Sequence, residues 1–81
     1  MEQMVANDVR NFCYENGYDY RDDYSGRGMY GAECVGIVGN ADDILFNLGG
    51  FAEQNDLEIP NWDRDSMGLS SIIYFPSITI N

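Results

Sequence analysis

The chain has 81 residues and a formal charge of −10, from fourteen Asp and Glu against four Arg. A chain this short supports one modest core, so it is read as a single domain over residues 1–81, and its 44% hydrophobic content excludes a disordered acidic tail. The absence of His and Lys removes the usual general base, the commonest zinc ligand, the Schiff-base amine and the P-loop lysine together, which excludes most familiar enzyme mechanisms.

From Glu2 to about Asn16, the residues Val5, Val9, Phe12 and Cys13 recur at three- and four-residue steps, which predicts a helix with one apolar stripe. Asn16-Gly17 reads as its stop, because the residue past a helix end usually needs positive φ. In Tyr18 to Tyr24 the aromatics fall at alternate places with a lapse at Asp22. That pattern predicts a half-buried strand turning Tyr18, Tyr20 and Tyr24 one way and Asp19, Arg21 and Asp23 the other.

Ser25 to Gly31 carries three glycines and reads as a loop or the wide end of a hairpin, followed by a strand from about Ala32 to Val38. Asn40 stands at a cap position before Asp42 and Asp43, whose carboxylates suit the first turn of a second helix built on Ile44, Leu45, Leu48 and Ala52. Gly49-Gly50 weakens that helix, which is expected to continue to about Gln54. The acid-rich stretch Asn55 to Asp65 reads as a long connection with Trp62 tucked against the body. Ser70 to Ile80 is rich in β-branched and aromatic residues and reads as a strand, with Pro76 confining it to an edge or interrupting it. The expected fold is α+β, a small antiparallel sheet of about three strands with two helices on one face, in the order α-β-β-α-β.

Three local patterns invite chemistry. Gly26, Gly28 and Gly31 have the spacing of a dinucleotide fingerprint, but they precede a strand where the fingerprint opens a helix, so a hairpin loop is the simpler reading. Asn61 to Ser66 offers oxygens at alternate positions like a calcium loop, yet Ser66 and Ile72 stand where the turn glycine and the bidentate glutamate belong. Asp22-Asp23 and Asp42-Asp43 are adjacent carboxylates, explained by opposite strand faces and by helix capping rather than by acid–base catalysis. No metal and no cofactor is expected, and Cys13 and Cys34 are expected to be buried thiols.

The N-terminus has no signal-peptide pattern and the longest strongly apolar run, Ile72 to Phe75, is far too short to span a membrane, so a cytosolic location is expected. The acidity argues against direct binding of nucleic acid or an anionic membrane and for a basic or protein partner. A lysine-free, histidine-free acidic α+β chain resembles, over its whole length, the small proteins that bacteriophages use against host defence, acidic anti-CRISPR proteins that mimic DNA in particular; Ser25 to Gly31 has the look of a phage-protein signature. The resemblance implies a non-catalytic inhibitor acting in a bacterial host cell. Its acidic surface would block a basic nucleic-acid-binding site of a host defence complex. Candidate contacts are Asp19, Asp22 and Asp23 on the first strand, Asp42 and Asp43 at the second helix, and Glu58, Asp63 and Asp65 in the acidic stretch, with Tyr20, Arg27 and Tyr30 as anchors. A carboxylate surplus that serves solubility alone is the simpler reading of the charge, and the functional alternatives are an interaction module that docks a protein or forms a homodimer, and a small ligand-binding protein or enzyme using the glycine loop.

Overall fold

The computed structural model describes residues 1–80 and is α+β. In chain order its elements are β1 (Glu2–Gln3), α1 (Ala6–Asn16), β2 (Asp19–Tyr24), a 3-10 turn (Met29–Gly31), β3 (Glu33–Gly39), α2 (Ala41–Gln54), β4 (Leu57–Glu58), β5 (Asp63–Met67) and β6 (Ser70–Ile80). The expected α-β-β-α-β series is present as α1, β2, β3, α2 and β6. Three short strands are added to it. β2, β3, β6 and β5 form an antiparallel sheet in that order, while β1 pairs with β4 in parallel.

α1 starts later than the periodicity implies, because Glu2–Gln3 is extended against Leu57–Glu58 and Met4 donates its N–H to the Glu58 carbonyl at 3.0 Å. Val5 is the N-cap and 57% exposed, so it stands off the buried stripe of Val9, Phe12 and Cys13. The carboxylate of Asp8 accepts from the Val5 N–H at 2.9 Å, satisfying a donor that the helix start would otherwise orphan. Gly17, at φ 75°, ends the helix in the left-handed conformation expected of it.

α2 begins as expected, with the Asn40 side chain accepting from the Asp43 N–H at 3.1 Å, and runs through Gly49-Gly50 to Gln54. Each glycine costs about 1 kcal/mol against alanine. Ile44 and Leu48, both fully buried, and Ala52 anchor the helix on either side of the pair, so tertiary packing carries it across.

Both helices cover one face of the sheet. Val9, Phe12 and Cys13 of α1 and Ile44 and Leu48 of α2 pack on Val35 and Ile37 of β3 and Ile73 and Phe75 of β6. Phe12 is the aromatic centre of this layer, stacked on Tyr18 at 5.6 Å and edge-on to Phe51 at 5.4 Å between centroids. Burying such a side chain contributes roughly 1.5–3 kcal/mol, with about 0.5–1.5 more from each aromatic pair. The opposite face carries a smaller cluster of Cys34, Ile72 and Tyr74, with Tyr24, Val38 and Met67 packed around it. Cys13 and Cys34 are both buried and unbridged, one in each cluster, so the sheet separates them.

Two irregularities depart from simple alternation. β2 has one extra residue against β3 between Arg21 and Tyr24, so Tyr24 moves to the face of Asp19 and Arg21 instead of sharing that of Tyr20. The strict spacing that would place Asp23 in line with Asp19 is broken at the same point. β6 is an interior strand up to Phe75, and Pro76 interrupts it: pairing with β3 jumps from Phe75 to Thr79. The missing N–H of proline therefore falls where no ladder bond is required.

The stretch Asn55 to Asp65 is not one long loop. It holds β4 and the start of β5, which forms a hairpin with β6 around Gly68-Leu69. Trp62 is 42% exposed and only partly covered, contrary to its expected place against the body.

Candidate functional site

The face of the sheet turned away from the helices is read from its rungs. One rung runs Asp19, Val38, Ile72, Asp65 across β2, β3, β6 and β5, and the next runs Arg21, Gly36, Tyr74, Asp63. With strands about 4.8 Å apart, Asp19 and Asp65 at the edges of the first rung lie roughly 14 Å from each other across Val38 and Ile72, while the Tyr74 rung has Arg21 at one edge and Asp63 at the other. Gly36 keeps this face tight, because a Cβ there would lie 2.7 Å from Ile72 Cδ1.

A polar network closes one side. The Tyr24 hydroxyl donates to Asp65 Oδ2, Arg27 Nε donates to the same oxygen at 2.8 Å, and the guanidinium carbon lies 5.8 Å from the centre of the Tyr24 ring. The bond from Tyr24 and the ion pair with Arg27 hold the Asp65 carboxyl below its ordinary value. Burial and the bond to Asp65 push the Tyr24 phenol up, and burial with Asp63 nearby does the same for Tyr74. Arg27, the one arginine with no acidic neighbour in sequence, thus reaches back to the protein's own surface.

The sequence candidates fall into separate groups. Asp19, Asp22 and Asp23 are exposed on the edge strand β2, and Asp63 and Asp65 lie on the other edge, β5, with Asp65 half-buried under Arg27. Asp42 and Asp43 are exposed in the first turn of α2, and Glu58 accepts from the Gln3 side-chain amide at 3.2 Å on β4. Tyr20 is half-buried on the helix side, lining a depression with Ala6, Arg10 and Asp22, so it is not part of the Asp19 face. Tyr30 is fully exposed and takes φ 59°, a left-handed conformation that costs a non-glycine residue about 1–2 kcal/mol. Tyr24 and Tyr74 are the residues that sequence reasoning left out; the lapse in alternation before Tyr24 was the available signal.

The other local patterns resolve structurally. In the glycine loop the Gly28 N–H donates to the Ala32 carbonyl at 2.9 Å and the Gly31 N–H to the Gly28 carbonyl at 3.0 Å, so these amides are engaged within the loop and do not form an anion cradle. Asp63 to Ser66 lie in an extended strand, a shape that cannot wrap a calcium ion. Among the described residues, no group of three or more His, Cys, Asp or Glu side chains is placed to hold a metal, and no helix is long and apolar enough to cross a membrane. Comparison with known families, curated proteins and solved structures gave no match.

Proposed function

We propose that the chain is a non-catalytic inhibitory binding protein of the kind phages direct against host defence, whose acidic surface occupies a basic nucleic-acid-binding site of a host complex. One observation carries this reading. Arg27–Asp65 is the only ion pair among the described residues, so thirteen of the fourteen acidic side chains have no cationic partner. Uncompensated charge of one sign on a small fold opposes compaction, and it is offset when a partner of opposite sign is met. The two edge strands set Asp19 and Asp65 on either side of this sheet face, which offers an arginine-rich cleft charge, while Tyr74 is buried beneath it and the Tyr24 ring is already covered by Arg27.

The same edges disfavour the homodimeric alternative, because Asp and Arg on β2 and β5 oppose strand pairing with a second copy. The test is capture from a bacterial lysate on a tagged chain, followed by identification of the bound protein. The captured protein should be a nucleic-acid binder, released by rising salt and by added DNA, and lost when Asp19, Asp23, Asp63 and Asp65 are changed together to Asn. Capture indifferent to salt, to DNA and to the fourfold variant would refute the reading.

A further inference from the structure

Away from the acidic sheet edges, α1 and α2 leave between them an open groove of about 520 Å³, with Glu15, Phe46, Asn47, Gly50, Phe51 and Glu53 among its lining. The last turns of both helices meet in it, Glu15 and Asn16 from α1 and Phe51 to Gln54 from α2. A helix C-terminus carries negative partial charge and is ordinarily matched by Lys, Arg or His in the last turn. Neither helix has a basic residue there. Glu15 and Glu53 stand in those positions instead, so both ionisable groups of the groove and both backbone dipoles that end in it have one sign.

Among the amides of Asn16, Asn47 and Gln54, two aromatic rings of the lining suit the apolar stem of a cation. Phe46 is 82% exposed, off the buried stripe of α2, while Phe51 backs the groove against Phe12. Gly50, on the wall, has no heavy atom within 4 Å of where its Cβ would stand, so the fold does not require glycine there, and its absent side chain leaves the groove open. An aromatic ring beside carboxylates is a setting in which a guanidinium is favoured, since it stacks on the ring and pairs with carboxylate in the same pose.

We propose that this groove receives an arginine side chain from a basic segment of the partner, its stem against Phe46 and Phe51 and its guanidinium between Glu15 and Glu53. The proposal rests on the reading of a basic partner given above and adds a contact on the helix layer that is separate from the acidic edges of the sheet. Charge complementarity identifies the occupant: a second copy of this chain, with four arginines and fourteen acids, is a poor match.

The probe is a short alanine-based helical peptide carrying arginines, titrated into the ¹⁵N-labelled chain and followed by amide shifts. Shifts should concentrate at Glu15, Asn16, Phe46, Asn47, Gly50 and Glu53. Phe46→Ala, harmless to folding because the ring is exposed, should weaken binding about tenfold, as should Glu15→Gln with Glu53→Gln. Gly50→Ala should raise the thermal midpoint while weakening binding, a combination that a purely structural role would not give. Retention of groove binding in the fourfold Asn variant of the sheet edges supports the proposal independently of whether those edges block a nucleic-acid site. The proposal is overturned if the peptide does not bind, if shifts spread over Asp19, Asp63 and Asp65 with Phe46→Ala unaffected, or if a glutamate-bearing peptide binds as well.

Discussion

Replacing Gly36 by alanine would put a Cβ 2.7 Å from Ile72 Cδ1, 2.8 Å from Ile72 Cγ1 and 3.2 Å from the Ile73 carbonyl oxygen. Two effects compete. Removing glycine from an interior strand should help, by roughly 0.5–1 kcal/mol, because alanine loses less backbone freedom on folding. Overpacking should hurt by about 1–3 kcal/mol, because the neighbour has to move. Ile72 is fully buried and β-branched, hence stiff about χ1, and the third contact is backbone, so neither side has an easy retreat. Overpacking should win, with a net loss on the order of 1–2 kcal/mol in urea denaturation. Ile72→Ala removes both clashing carbons and by itself should cost about 2–5 kcal/mol. In that background only the 3.2 Å approach to the Ile73 carbonyl remains, so Gly36→Ala should cost much less than in wild type and the double-mutant cycle should show strong coupling. A Gly36→Ala that is neutral alone, or that costs the same in both backgrounds, would refute the packing account of this face.

Asn40→Ala removes the acceptor for the Asp43 N–H and should lower stability by about 1 kcal/mol, read as a fall in the denaturant midpoint. The Cys13 thiol is pushed up to about 12, mainly by burial and then by Asp19, from an ordinary 9.0. Its protonated form is favoured in the fold, so its contribution is complete below pH 9.0 and is lost toward pH 12; the advantage of wild type over Cys13→Ala should be flat up to the first value and shrink above it. Both thiols should resist iodoacetamide in the native protein, and rapid labelling of either would contradict their burial. Asp65 is held below its ordinary 3.8 by Tyr24 and Arg27, so its contribution is present above that value and lost as pH falls through the lower folded one. The stability gap between wild type and Asp65→Asn should therefore close in acid, and a gap constant down to pH 2 would argue against the network.

The fold was legible where burial set the pattern. Val9, Phe12 and Cys13 mark α1, Ile44, Leu48 and Ala52 mark α2, and the β-branched run of β6 marks the central strand, because each element buries a periodic set of apolar side chains. β5 was not legible. Asp-Arg-Asp-Ser-Met has no apolar alternation until Met67, and the strand forms through its ladder with β6 and through Arg27 and Tyr24 reaching Asp65. β1 and β4, two residues each, exist only through each other across 55 positions of sequence, a pairing that no local pattern announces. Tyr24 was assigned to the wrong face because burial over Cys34 and Ile72, with a bond to Asp65, outweighs strict alternation at the cost of one bulged residue. Of the candidate site, the carboxylates were legible as charge and Arg27 as an isolated cation, but their grouping depends on which strand lies beside which.

The acidic residues have uneven structural roles, and the unevenness bears on why they are there. Asp8 accepts from the Val5 N–H, Asp42 and Asp43 sit where the dipole of α2 favours them, and Asp65 organises Tyr24 and Arg27. Solubility alone would be served by a carboxylate anywhere on the surface, and least harmfully at helix N-termini. Glu15 and Glu53 stand at the other ends, where the dipole opposes them and no basic residue compensates. Within the fold, last-turn carbonyls are met by amides instead, Asn16 Nδ2 donating to the Phe12 carbonyl at 2.9 Å and Asn55 Nδ2 to that of Phe51 at 2.8 Å, which leaves the carboxylates of Glu15 and Glu53 themselves without a cationic partner. In the proposed complex an arginine of the partner supplies it.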